Sequence, residues 1–166
     1  MATRRRPGPT DQDRALLAEL EAVWQDADTL YAGHSCPRAT ECCRFAITGR
    51  EPYVTTIEVL AIVRAVAARG GPLRNRRRAA PLPPHPSRRA ERTCPLLDEQ
   101  GRCAVYGARP LGCRSFFCRR ADRDRPIRQA EVRALVHRVQ DIAARHVPDG
   151  DRGRPLTRAL RLHGLA

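Results

Sequence analysis

Apolar side chains recur at helical spacing in three stretches of the chain. In "TDQDRALLAELEAVWQDADTLYAG", starting at Thr10, they fall at Leu16, Leu20, Val23, Trp24, Ala27 and Tyr31, the 3.6-residue rhythm of an amphipathic helix. Thr10 suits the N-cap and Gly33 a stop. In "TTIEVLAIVRAVAARGG", Thr55 followed three positions later by Glu58 reads as a capping box, with Val59, Val63 and Val66 facing inward and Gly70-Gly71 ending the helix. A third helix is predicted from about Ile127 to His146, with Val132, Leu135, Val136, Val139 and Ile142 on one face. A short piece, "PLTRALRLHG", closes the chain.

Between these stretches the periodicity breaks down. The segment "RFAITGREPYV" reads as irregular or briefly extended. Residues 71–93 hold five prolines and seven arginines against one acid, Glu91, so they read as an internal Arg/Pro-rich loop or linker. In "CPLLDEQGRCAVYGARPLGCRSFFCRR" the apolar "PLL", the turn-forming "DEQG" and the β-prone "CAVY" predict a short hairpin with Cys94 and Cys103 near its strands. Pro110 is placed to open a helical turn carrying Cys113 and Cys118. The expected fold is mainly α, with three longer helices and a small cysteine-rich region containing a short β-hairpin. At 166 residues, and with no internal repeat, the chain reads as a single domain spanning residues 1–166.

Charge changes this picture less than its size suggests. The formal net charge is +13, but all 31 basic residues are arginine, and alanine and proline are abundant, as a G- and C-rich coding bias would produce. A weak, non-specific nucleic-acid contact through Arg74, Arg76, Arg77, Arg78, Arg88 and Arg89 is the alternative such a charge supports. There is no helix-turn-helix signature. The arginines of "MATRRRPGPTDQDR" are followed by no apolar core of a signal peptide, and no run is long enough to cross a membrane. The expectation is a soluble, cytoplasmic protein.

That expectation bears on the seven cysteines. In a reducing compartment an odd number of thiols favours metal binding or thiol chemistry over structural disulfides, while any one cysteine can pack as a small hydrophobe. They fall into two groups, Cys36, Cys42 and Cys43, then Cys94, Cys103, Cys113 and Cys118. Zinc and iron-sulfur clusters both take thiolates, usually four, from two or more short segments. The intervals of five, zero, eight, nine and four intervening residues fit no zinc-ribbon or finger pattern, so spacing alone does not type the site. Cys42 and Cys43 are adjacent, and neighbouring side chains diverge on either a strand or a helix. The expectation is that one serves a centre while the other packs, supports it or serves a second one.

The order of an adjacent CC pair followed by "CPLLDEQGRCAVYGARPLGCR" resembles the YkgJ-type cysteine-cluster family, the zinc- or iron-chelating domain named for CxxCxxCC. Cys94-Pro95, Gly101-Arg102-Cys103, Tyr106, Arg109-Pro110 and Cys113-Arg114 carry the resemblance. Ala39 stands where the pattern has its second cysteine, and Cys118 is an additional thiol downstream. The resemblance implies zinc or iron as cofactor, as an ion or an iron-sulfur cluster, held by the divided cysteine set, and it assigns no reaction.

Arg109 and Arg114 flank Cys113, where guanidinium groups would offset the charge of a thiolate-bound metal. Salt bridging or capping is an equal reading for Arg109. His34 is a candidate nitrogen ligand or a plain loop histidine, and neither His137 nor His146 asks for a catalytic role. The sequence contains no recognisable triad, P-loop or dinucleotide-binding glycine pattern, so an enzymatic role is the weaker reading. An iron-sulfur redox or accessory enzyme stays open.

Overall fold

The computed structural model describes residues 9–32, 34–35, 41–71, 93–116, 122–123, 127–148, 151 and 153–165. Six helices and four two-residue strands follow in the order α1 (Asp11–Leu30), β1 (His34–Ser35), α2 (Phe45–Thr48), β2 (Tyr53–Val54), α3 (Thr56–Ala68), α4 (Leu111–Arg114), β3 (Asp122–Arg123), α5 (Gln129–His146), β4 (Arg154–Pro155) and α6 (Leu156–Leu162). Single 3-10 turns cover Glu41–Cys43 and Tyr106–Ala108. The fold is mainly α, as the periodicity predicts. No described helix is long and apolar enough to cross a membrane.

Thr10 caps α1: its Oγ1 accepts from Asp13 N at 3.1 Å, and Asp13 Oδ2 accepts from Thr10 N at 2.8 Å. This reciprocal pair satisfies two of the donors that a helix N-terminus leaves open. The helix ends at Leu30, and the expected stop at Gly33 lies outside the described residues. α5 begins at Gln129, two residues later than expected, because Arg128 N is capped by Glu131 Oε2 at 3.1 Å. Val136, placed on its inner face by the sequence pattern, is exposed, while Ala143 is buried. The inner stripe therefore runs Leu135, Val139, Ile142 and Ala143, a narrower seam than expected.

Two apolar cores share α3. In the first, Leu16, Leu20, Val23, Trp24 and Ala27 of α1 meet Leu135, Val139, Ile142 and Ala143 of α5, with Ile57 of α3 and Leu111 of α4. Arg145–Glu19 and Arg138–Asp26 ion pairs cross the solvent side of the α1–α5 seam. In the second, Val59, Ile62 and Val66 of α3 meet Phe45, Val54, Cys94, Leu96, Val105, Leu156, Ala159 and Leu160. α3 carries few charges because it is covered on both sides. The closing "PLTRALRLHG" is thus a core element, α6, and not a loose end.

The β-structure is sparse. The expected hairpin is reduced to one bridge, Leu97 with Cys103, closed by Ala104 N to Leu96 O at 2.8 Å and Asp98 N to Arg102 O at 2.8 Å. Gly101 turns the tip at φ +72°, a conformation costly for other residues. The strands pair over long distances in the sequence. β1 lies antiparallel to β3, and β2 antiparallel to β4, with Leu156 N bonded to Pro52 O at 3.0 Å. Of the linker, residues 72–92 lie outside the described residues, as do the arginines proposed for nucleic acid.

Candidate metal centre

Five cysteines from separate segments line one cavity of about 600 Å³: Cys42 and Cys43 from the 3-10 turn, Cys94 and Cys103 from the two sides of the bridged loop, and Cys113 from α4. All five are free thiols. Cys36 and Cys118 lie outside the described residues.

Local backbone bonds bring these segments together. Arg44 bridges Thr93 antiparallel, and Cys94 N donates to Cys43 O at 2.7 Å, which sets the first cysteine group against the second. Adjacent side chains would diverge on a regular strand or helix. In the Glu41–Cys43 turn both thiols instead face the cavity, with their Sγ atoms 3.9 Å apart. Two thiolates on one tetrahedral zinc would stand about 3.8 Å apart, given bonds of roughly 2.3 Å. The separation in the adjacent pair is thus close to that of two sulfurs on one tetrahedral ion.

α4 is gripped from two sides. Glu58, only 2 % exposed, accepts from Thr55 N at 2.9 Å and Thr55 Oγ1 at 3.0 Å through one oxygen, and from Leu111 N at 2.8 Å through the other. One carboxylate thus caps α3 and anchors the start of α4, two residues before Cys113. Burial pushes Glu58 above the usual carboxylate range, against the hydrogen bonds that favour its ionised form. On the other side Arg114, 6 % exposed, donates Nε to Arg109 O at 2.8 Å, bonds Gly107 O, pairs with Asp28 of α1 and lies over the Trp24 ring at 4.8 Å. Arg114 steadies the turn from behind and does not line the cavity, whereas Arg109 does.

The thiols differ in acidity. A hydrogen bond from Cys43, with the Arg109 charge a smaller contribution, lowers Cys42 to about 6, and the same bond together with burial raises Cys43. Burial raises Cys94 to about 12, and also raises Cys103 and Cys113. Gathering several thiolates in one poorly hydrated space is costly unless a cation joins them, and a bound metal displaces such protons.

The donor set suits a soft or borderline transition metal in kind and number. Among the described residues, no group of three or more His, Cys, Asp or Glu side chains is already drawn to metal-holding distance. His137 is exposed on α5, and His146 Nδ1 lies 2.8 Å from Thr56 Oγ1 with Asp13 beyond it, so neither belongs to the cavity. Sequence reasoning missed Glu58 as a support for α4, because its capping role already accounted for it. It also missed Arg50 and Arg69 on the cavity wall, whose partners, Phe116 and Ala104, lie far away in the chain.

Residues 35–132, well over half of the chain, match the CxxCxxCC family, described as "Putative zinc- or iron-chelating domain". No curated protein and no solved structure matches the chain.

Proposed function

The chain belongs to the CxxCxxCC family, and from that premise we propose that it binds a transition metal through thiolates of Cys42, Cys43, Cys94, Cys103 and Cys113, joined by Cys36 and Cys118. The observation that carries the proposal is the convergence of five free thiols from separate segments on one cavity. The thiol count exceeds one tetrahedral site, which favours an iron-sulfur cluster over a single zinc. Such a group would supply a cross-link and, as a cluster, one-electron chemistry. The chain's own contribution is to hold the donors: Arg44–Thr93 pairing sets the spacing of the two groups, Glu58 and Arg114 fix the turn bearing Cys113, and Arg109 offsets thiolate charge.

Pairing of β1 with β3 sets Ser35, the residue before Cys36, opposite Asp122, a few residues beyond Cys118. Cys118 is the thiol proposed to make up for Ala39. Anaerobic purification followed by metal analysis and visible absorption tests the function: at least one equivalent of zinc or iron is expected, and less overturns it. In Cys94→Ser, metal content and folding stability should fall together. A variant that keeps its full metal content removes Cys94 from the ligand set.

A further inference from the structure

The cavity carries a second set of groups that a thiolate-bound ion does not use. Its volume of about 600 Å³ falls within the roughly 300–1,000 Å³ typical of sites for small organic ligands. An ion within about 2.3 Å of its sulfurs fills little of that space. Phe45, Leu96, Val105, Phe116 and Leu156 supply apolar wall beside the thiols.

The same cavity is lined by four arginines, Arg50, Arg69, Arg102 and Arg109, against two carboxylates, Glu51 and Asp98. Both acids are engaged: Asp98 pairs with Arg102 at 3.5 Å, and Glu51 accepts from Thr157 N at 2.7 Å and Thr157 Oγ1 at 2.6 Å. Arg69 bonds Ala104 O, and Arg50 lies over Phe116 at 6.0 Å. Guanidinium groups thus outnumber carboxylates on the cavity wall.

Arg109 differs from the other three. Its guanidinium carbon lies 3.6 Å from the Tyr106 ring centroid and its Nε donates to Tyr106 O at 3.2 Å. The stack and the Nε bond fix the plane of the group, while its two terminal amino groups have no hydrogen-bond partner among the described residues. A planar guanidinium held in this way presents donors matched to the two oxygens of a carboxylate or phosphate, and little side-chain freedom is left to lose on binding.

We propose that the cavity binds a small organic anion, with its carboxylate or phosphate on Arg109 and its apolar body against Phe45, Leu96 and Phe116. The proposal rests on the cavity walls and on Arg109, and goes beyond the metal reading. Calorimetric titration of the anaerobically purified full chain with benzoate, phenyl phosphate and inorganic phosphate tests it. At least one aromatic anion should bind one per chain, at least about tenfold tighter than inorganic phosphate, since only the aromatic anions bury apolar surface. Benzoate and phenyl phosphate distinguish a carboxylate from a phosphate site.

Arg109→Gln should weaken that binding at least about tenfold, the effect of losing a charge-assisted pair of hydrogen bonds. Arg138→Gln, whose side chain pairs with Asp26 on the α1–α5 seam, should not. Phe116→Ala gives a second variant: the aromatic anions should bind more weakly and inorganic phosphate unchanged. Equal affinity for all three anions, or wild-type affinity in Arg109→Gln or Phe116→Ala, overturns the proposal. Metal content measured on the same samples bears on the metal centre alone, so the two readings fail separately.

Discussion

The two cores flanking α3 are built on different plans. The α1–α5 core is made from helices of 20 and 18 residues whose apolar stripes match along their length, with Leu20 and Ala27 fully buried and ion pairs confined to the solvent side. Helices of that length form several turns and bury a continuous stripe, so packing alone holds them. The other core sets α3 against the four-residue α2, the bridged loop of residues 93–105 and the seven-residue α6, and half-buried thiols occupy part of its surface. Short elements contribute little stability of their own. What distinguishes the second core is that it joins short segments from distant parts of the chain.

Metal removal should break the comparison most strongly. Thiolate-bound structural metals contribute on the order of 10 kcal/mol to folding. A competing chelator should therefore abolish amide-exchange protection in residues 41–48, 93–116 and 156–162 while α1 and α5 keep theirs. Uniform loss across both cores would show that they are one cooperative unit. Leu20→Ala attacks the opposite side. At a fully buried site it should cost about 3 kcal/mol in chemical denaturation, and metal content should be unchanged in the folded protein.

Glu58→Gln acts on the shared boundary. An amide has a single oxygen where the carboxylate uses two, so either Thr55 or Leu111 loses its acceptor, at a cost of about 1–3 kcal/mol. Metal occupancy should fall in the same variant, because Leu111 opens the turn that bears Cys113. Mild acid should have the smallest effect. Hydrogen bonds from Arg145 hold Glu19 below its usual 4.5, and the Thr10 backbone holds Asp13 below its usual 3.8. Their stabilisation is full above those ordinary values and is lost as pH falls through the lower folded ones. The loss should be read at the α1–α5 seam, and should weaken with added salt because Glu19 is exposed and Asp13 partly so.

The same division explains what could be read from the chain. α1 and α3 were legible because helix caps and apolar stripes are local signals, and Thr10 and Thr55 declare them within three residues. The cysteine groups were legible as chemistry, through residue type and the family's spelling of residues 94–114. The cavity that unites them was not. It depends on contacts such as Arg44 with Thr93 and Glu58 with Leu111, which link residues far apart and leave no periodic trace. The adjacent pair was not legible for a local reason: regular geometry separates Cys42 from Cys43, and a single 3-10 turn sets both on one cavity. α6 was read as a closing piece because seven residues show barely two helical turns. Its burial comes from the β2–β4 pairing that lays it against α3.

Trp24 is the chain's single tryptophan. It is buried in the α1–α5 core with its indole Nε1 unbonded among the described residues, beneath the guanidinium of Arg114, which directly follows Cys113. An indole in that position is a built-in optical probe. Its emission is set by the apolar surroundings of one core, while the cation stacked on it belongs to the turn that serves the other. Changes at the thiol cavity should thus be visible as intrinsic fluorescence, without any label, from a residue on the far side of α4.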